Sequence, residues 1–90
     1  MKNPINIIRL PLVLTIIPLS KSTFYLKLQD GLLPPSISLG ERAVGYIEQE
    51  YQTVLAAMMA GDSKNDIKEL VSSLVNNREK LRVELTNVIN

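Results

Sequence analysis

The sequence predicts a mainly α fold with a small β-hairpin wing: a winged helix-turn-helix followed by two C-terminal helices. Three observations carry this expectation. Residues 20–30 read as a capped helix that Gly31 stops and that Pro34 and Pro35 bar from continuing. Residues 36–39 and 43–46 alternate with period two about a turn at Gly40-Glu41-Arg42. From Ile47 onward the period changes back to that of a helix. A helix followed by a ribbon is the layout in which the helix enters a DNA groove while the ribbon touches the flanking backbone. We divide the chain into a winged unit at residues 1–60 and a C-terminal helix at residues 61–90, an extension for dimerisation or partner binding.

Each element has its own signal. Residues 1–6 are polar with Pro4 and read as a frayed arm, and Ile7-Ile8-Arg9-Leu10 as a short edge strand for the ribbon. Pro11 suits the first turn of a short helix, where its missing donor costs nothing, and Pro18 forces the exit. Ser20 is the N-cap of the second helix, whose inward face carries Phe24 and Leu28 against Val13, Leu14 and Ile17. In the ribbon, the alternation is read as placing Ile37, Leu39, Val44 and Tyr46 on one face. Ser36, Ser38, Ala43 and Gly45 then form a small-residue face that a nucleic-acid backbone can approach. Arg42 at the tip has the chemistry of a phosphate or minor-groove contact, and equally that of an ordinary surface arginine. Ile47, Tyr51, Val54, Leu55, Met58 and Met59 form a core stripe on the third helix, which Gly61 stops. Ser63 and Asp66 resemble a capping box that starts the fourth.

In that last helix Ile67, Val71, Leu74, Arg78, Leu81, Leu85 and Val88 follow steps of four and three, a heptad seam interrupted at Arg78. Two readings stay open. The seam through Ile67, Val71, Leu74, Leu81 and Leu85 pairs two subunits, or residues 67–75 fold back on their own domain while residues 76–80 fray.

Composition narrows the function. Ninety residues give one domain with a thin core. With no cysteine and no histidine, disulfides, thiolate zinc sites and the commonest acid/base group are absent. No carboxylate, serine or lysine pair stands at a spacing that singles out an acid and a base, so neither an enzyme nor a cofactor nor a metal site is expected. Net charge is only +1, but it is unevenly spread. Residues 1–45 carry Lys2, Arg9, Lys21, Lys27 and Arg42 against Asp30 and Glu41, whereas residues 46–90 hold seven acidic and five basic groups. The positive excess lies with the reading unit, as a footprint on DNA requires. The apolar run at residues 10–17 looks like a secretory signal, but Arg9 and Pro11 interrupt it and no alanine-type cleavage site follows. It is also short of the ~20 residues that span a bilayer. We therefore expect a cytoplasmic, nucleoid-associated chain that begins at Met1 and meets no membrane.

At Arg9-Leu10, Val13-Leu14, Ser20-Lys21-Ser22-Thr23-Phe24-Tyr25, Gly31, Leu33-Pro34, Ile37, Leu39-Gly40 and Arg42-Ala43-Val44-Gly45-Tyr46 the chain resembles the AlpA family of prophage and genomic-island regulators. The resemblance covers about residues 7–60 and implies a MerR-like winged helix-turn-helix related to excisionases. It implies binding to double-stranded DNA at attachment sites or integrase promoters, where such proteins activate integrase transcription or act as recombination directionality factors. By position, Ser20, Lys21, Ser22, Thr23 and Tyr25 fall on the recognition-helix motif and Arg42 on the wing. Leu26 stands where relatives often have arginine, which shifts reading toward thymine methyl groups. Leu33 replaces a common phenylalanine and Tyr46 a common tryptophan.

These observations give a site in which Lys21 and Lys27 anchor phosphates, Ser22, Thr23 and Tyr25 probe base edges or backbone, and Arg42 pins the wing. Each serine also reads as a cap, Tyr25 as a half-buried core ring, and Thr23 as a partner for backbone amides. Expected partners are DNA, a tyrosine integrase and a second copy of the chain assembling cooperatively. The competing reading is a protein-interaction module that has lost DNA contact and docks on a recombinase or regulator through its C-terminal helices.

Overall fold

The computed structural model describes residues 5–89, so residues 1–4 of the expected arm, Lys2 included, lie outside the described residues, as do the side chains of Val88 and Ile89, whereas Asn6 of that arm is not frayed: its carbonyl accepts from the Glu48 amide at 2.9 Å. The chain runs β1 (Ile7–Ile8), α1 (Leu10–Ile16), α2 (Lys21–Gln29), β2 (Ile37–Ser38), β3 (Val44–Ile47), α3 (Glu48–Met59) and α4 (Lys64–Ile89). This is a winged helix-turn-helix arrangement: α1 and α2, then a small antiparallel sheet, with two helices behind.

The helix ends follow local chemistry. Pro11 occupies the first turn of α1, and the extended Ile17 closes it before Pro18. Ser20 caps α2 by accepting a bond from the Thr23 amide at 3.2 Å. At the other end Gly31, with φ of 77°, lets its own amide reach the Leu28 carbonyl and the Leu32 amide reach the Lys27 carbonyl. The same pair of bonds ends α3, from Gly61 to Met58 and from Asp62 to Ala57. Ser63 and Asp66 form the reciprocal box that starts α4: the Asp66 amide donates to Ser63 Oγ at 3.1 Å and the Ser63 amide to Asp66 Oδ2 at 3.3 Å.

The core is built around Phe24. Its ring meets Tyr46 edge-on at 5.6 Å and lies at 26° to Tyr51 at 6.3 Å, while Tyr46 and Tyr51 are perpendicular at 5.8 Å. Val13, Ile17, Leu33 and Val54 are buried in the same cluster. The buried Tyr51 hydroxyl donates to the Pro34 carbonyl at 2.6 Å. Burial first, then the neighbouring Tyr46 and Glu50, pushes the Tyr51 phenol far above its ordinary range. Tyr46 is raised too, by burial and then by Tyr25.

Three placements correct the sequence expectations. The first concerns the ribbon. β3 is the central strand, with Ile7 opposite Ile47, Ile8 opposite Tyr46, Ile37 opposite Gly45 and Ser38 opposite Val44. Opposed residues project from the same face, so Ile37 shares a face with Gly45, while Val44 and Tyr46 share theirs with Ser38. The alternation within each strand is as expected, but the phase between strands is shifted by one. A three-residue turn sets Leu39 opposite Ala43, as the bond from the Leu39 amide to the Ala43 carbonyl at 2.8 Å records. Gly45 is therefore covered by Ile7 and Leu39 and does not present an open face to DNA.

Second, Met59 is 79% exposed, because it lies off the Tyr51–Val54–Met58 line at the end of α3. Third, the heptad seam is divided. Ile67 and Val71 are buried in the domain's own core and Leu74 packs against it, all facing α3. That half of α4 is thus occupied intramolecularly, and α4 stays helical through residues 76–80. Arg78 turns inward to Glu50, with Nε to Oε2 at 2.8 Å and Nη2 to Oε1 at 2.6 Å, and Nη2 also donates to the Pro35 carbonyl at 2.9 Å. The bond to Glu50 raises the Arg78 guanidinium further against the opposing cost of its burial. Of the remaining seam residues, Leu81 is half-buried and Leu85 is 50% exposed.

Candidate nucleic-acid interface

α2 turns its Phe24 and Leu28 side inward, so at about 100° per residue its outward face is Ser22, Tyr25, Leu26 and Gln29. All four are exposed, Tyr25 to 51% and Leu26 to 60%. Tyr25 is held in place by an edge-on contact with Phe24 at 5.3 Å. With half of its surface exposed, the residue is shared between the core and the face. Gln29 joins this face without having been singled out in the sequence, although its spacing of seven from Ser22 marks the position.

Ser20, Ser22 and Thr23 cluster at the start of the helix. Ser20 Oγ lies 3.4 Å from Ser22 Oγ, donates to Thr23 Oγ1 at 3.0 Å and accepts from the Thr23 amide. The Ser20 hydroxyl is thus committed to the cap, and Thr23 is half-buried beside it. Lys21 stands exposed at the flank of the outward face. Lys27 is half-buried and sits about 100° round the helix from Leu26, off the face that Tyr25 and Leu26 share. Arg42 is exposed at the wing turn. Among the described residues the ion pairs are Arg78–Glu50 and Arg82–Glu79, which leaves Arg9, Lys21, Lys27 and Arg42 without an acidic partner. Cations unpaired within the chain are available to phosphates.

A cleft of about 340 Å³ lies between α2 and the wing, lined by Arg9, Leu10, Pro11, Tyr25, Val44 and Tyr46. The sequence reading counted Arg9 among the charges but gave it no place in the site. What brings it there is the antiparallel pairing of β1 with β3, a tertiary contact that periodicity does not report. Among the described residues no helix is long and apolar enough to cross a membrane.

No solved structure matches the chain. It is 35% identical over 54 residues to an uncharacterized protein, ORF88, of Enterobacteria phage P4, a match covering 60% of this chain and 61% of that relative. The model of the family described as prophage CP4-57 regulatory protein (AlpA) matches residues 6–55, the stretch that holds β1, both helices of the reading unit, the wing and most of α3. This chain belongs to the AlpA family of prophage regulatory proteins.

Proposed function

We propose that the chain binds specific double-stranded DNA of a mobile genetic element and there governs an integrase, by activating its transcription or by directing recombination toward excision. The observation that carries this is the outward face of α2, Ser22, Tyr25, Leu26 and Gln29, flanked by Lys21 and set in a half of the chain where Arg9, Lys21, Lys27 and Arg42 make no ion pair among the described residues. No catalytic step is needed for either role. A single module of this size buries only ~600–1,000 Å² of protein on DNA. Cooperative filling of repeated sites, or pairing of two copies, would supply the remaining affinity, and a tyrosine integrase is the natural partner on the same DNA.

Fluorescence anisotropy with attachment-site and integrase-promoter duplexes, against random duplex at physiological salt, tests this reading. We expect preferential binding to at least one of the two fragments. The Lys21→Ala, Arg42→Ala double variant should weaken binding to all duplexes alike, because phosphate contacts carry no sequence information. Equal affinity of wild type for random and element DNA would end the specific reading.

A second reading has one observation in its favour. Beyond Arg78 the helix α4 carries Leu81, half-buried, and four residues on Leu85, 50% exposed, a strip suited to a second copy or a recombinase. An interaction module without DNA contact would use that strip and would fail the titration.

A further inference from the structure

We infer that the cleft between α2 and the wing receives one sugar–phosphate unit of the DNA backbone, with Arg9 as the phosphate-binding residue and the Tyr25 hydroxyl as a second donor. The inference rests on the DNA-binding reading above and adds a contact on α1's side of the interface. A winged module places its helix in a groove and its ribbon on the flanking backbone. The strand of DNA that runs from one to the other then crosses whatever lies between them, and here that is the cleft.

The lining has the right chemistry. Arg9 is exposed, caps the backbone of α1 without using its side chain, and makes no ion pair among the described residues. Among the described residues no acidic side chain lines the cleft, so an anion entering it meets no repulsion there. The guanidinium is planar and offers paired donors that match two phosphate oxygens. Leu10, Pro11 and Val44 supply apolar walls against which a deoxyribose ring packs. Tyr25 lines the cleft and its ring is anchored on Phe24, so a donor held there costs little entropy to engage. Tyr46, buried behind it, forms the floor.

The test compares wild type with Arg9→Gln, Arg9→Lys and Tyr25→Phe on the attachment-site duplex and on random duplex, across a salt series, after thermal melting has shown each variant folded. We expect Arg9→Gln to bind both duplexes about tenfold more weakly and to lower the slope of log affinity against log salt by about 0.9, the value of one released counterion. Arg9→Lys should keep the slope and lose only part of the affinity. A methylphosphonate scan of the duplex should reveal one phosphate whose neutralisation weakens wild type but not Arg9→Gln. If wild type binds the duplexes while Arg9→Gln matches it in affinity and slope, the cleft contact is wrong and the DNA-binding reading stands. If wild type itself shows no binding, both fall together.

Discussion

Leu26 gives the outward face of α2 its character. It is a 60% exposed leucine between Ser22, Tyr25 and Gln29, on a helix whose own cations lie at the flank, Lys21, or off the face, Lys27. An exposed leucine adds nothing to attraction for phosphate but offers a methyl-rich surface to thymine. Leu26→Arg should therefore raise affinity for every duplex, steepen the salt dependence by about 0.9 per log unit and narrow the gap between element and random DNA. A salt series with both duplexes measures all three quantities. An unchanged slope would place Leu26 outside the contact. Residue chemistry of this kind was legible in the sequence because it depends only on position within one helix. Capping was legible for the same reason: Ser20, Gly31, Gly61, Ser63 and Asp66 act within a turn of their own positions.

The wing shows where that legibility stops. Period two fixes which residues alternate within a strand, but the phase between strands is set by the turn, and one residue of shift exchanges the faces. Gly45 consequently lies under Ile7 and Leu39. A Cβ there would sit 2.5 Å from Ile7 Cγ2 and 3.0 Å from Leu39 Cδ1. Both are side-chain ends, so Gly45→Ala should be accommodated by pushing β1 outward, at a cost of about 1–3 kcal/mol. Urea denaturation measures the loss, and hydrogen exchange should show it concentrated in the Ile8–Tyr46 pairing. A variant as stable as wild type would mean that Ile7 moves aside freely. The place of Arg9 at the cleft was hidden for a related reason, since the pairing of β1 with β3 joins residues about forty positions apart in the chain.

Across the whole molecule, α4 is joined to the reading unit by one ion pair as well as by packing. In the sequence Arg78 looked like an interruption of an apolar seam; in the fold it answers a carboxylate that periodicity assigned to no partner. Glu50 is 6% exposed, and its partner's side chain 23%. Arg78→Ala leaves that carboxylate buried and unpaired, which should cost about 3 kcal/mol, whereas Arg78→Ala with Glu50→Leu should recover most of it. Denaturant midpoints of the two variants check this, and equal loss in both would show that packing of the arginine stem, rather than the charge, matters. The same arginine and Tyr51 hold neighbouring carbonyls, those of Pro35 and Pro34, in the segment that leads from α2 to the wing. Every one of these attachments lies behind the reading surface, and Ser22, Tyr25, Leu26 and Gln29 give no hydrogen bond to any of them. Under the DNA-binding reading proposed above, Ser22, Leu26 and Gln29 can thus be rewritten without unfastening the frame that carries them, so a lineage of such proteins, or a designer, is free to exchange target sequences at those three positions while Tyr25, packed on Phe24, and the angle between helix and wing are inherited unchanged.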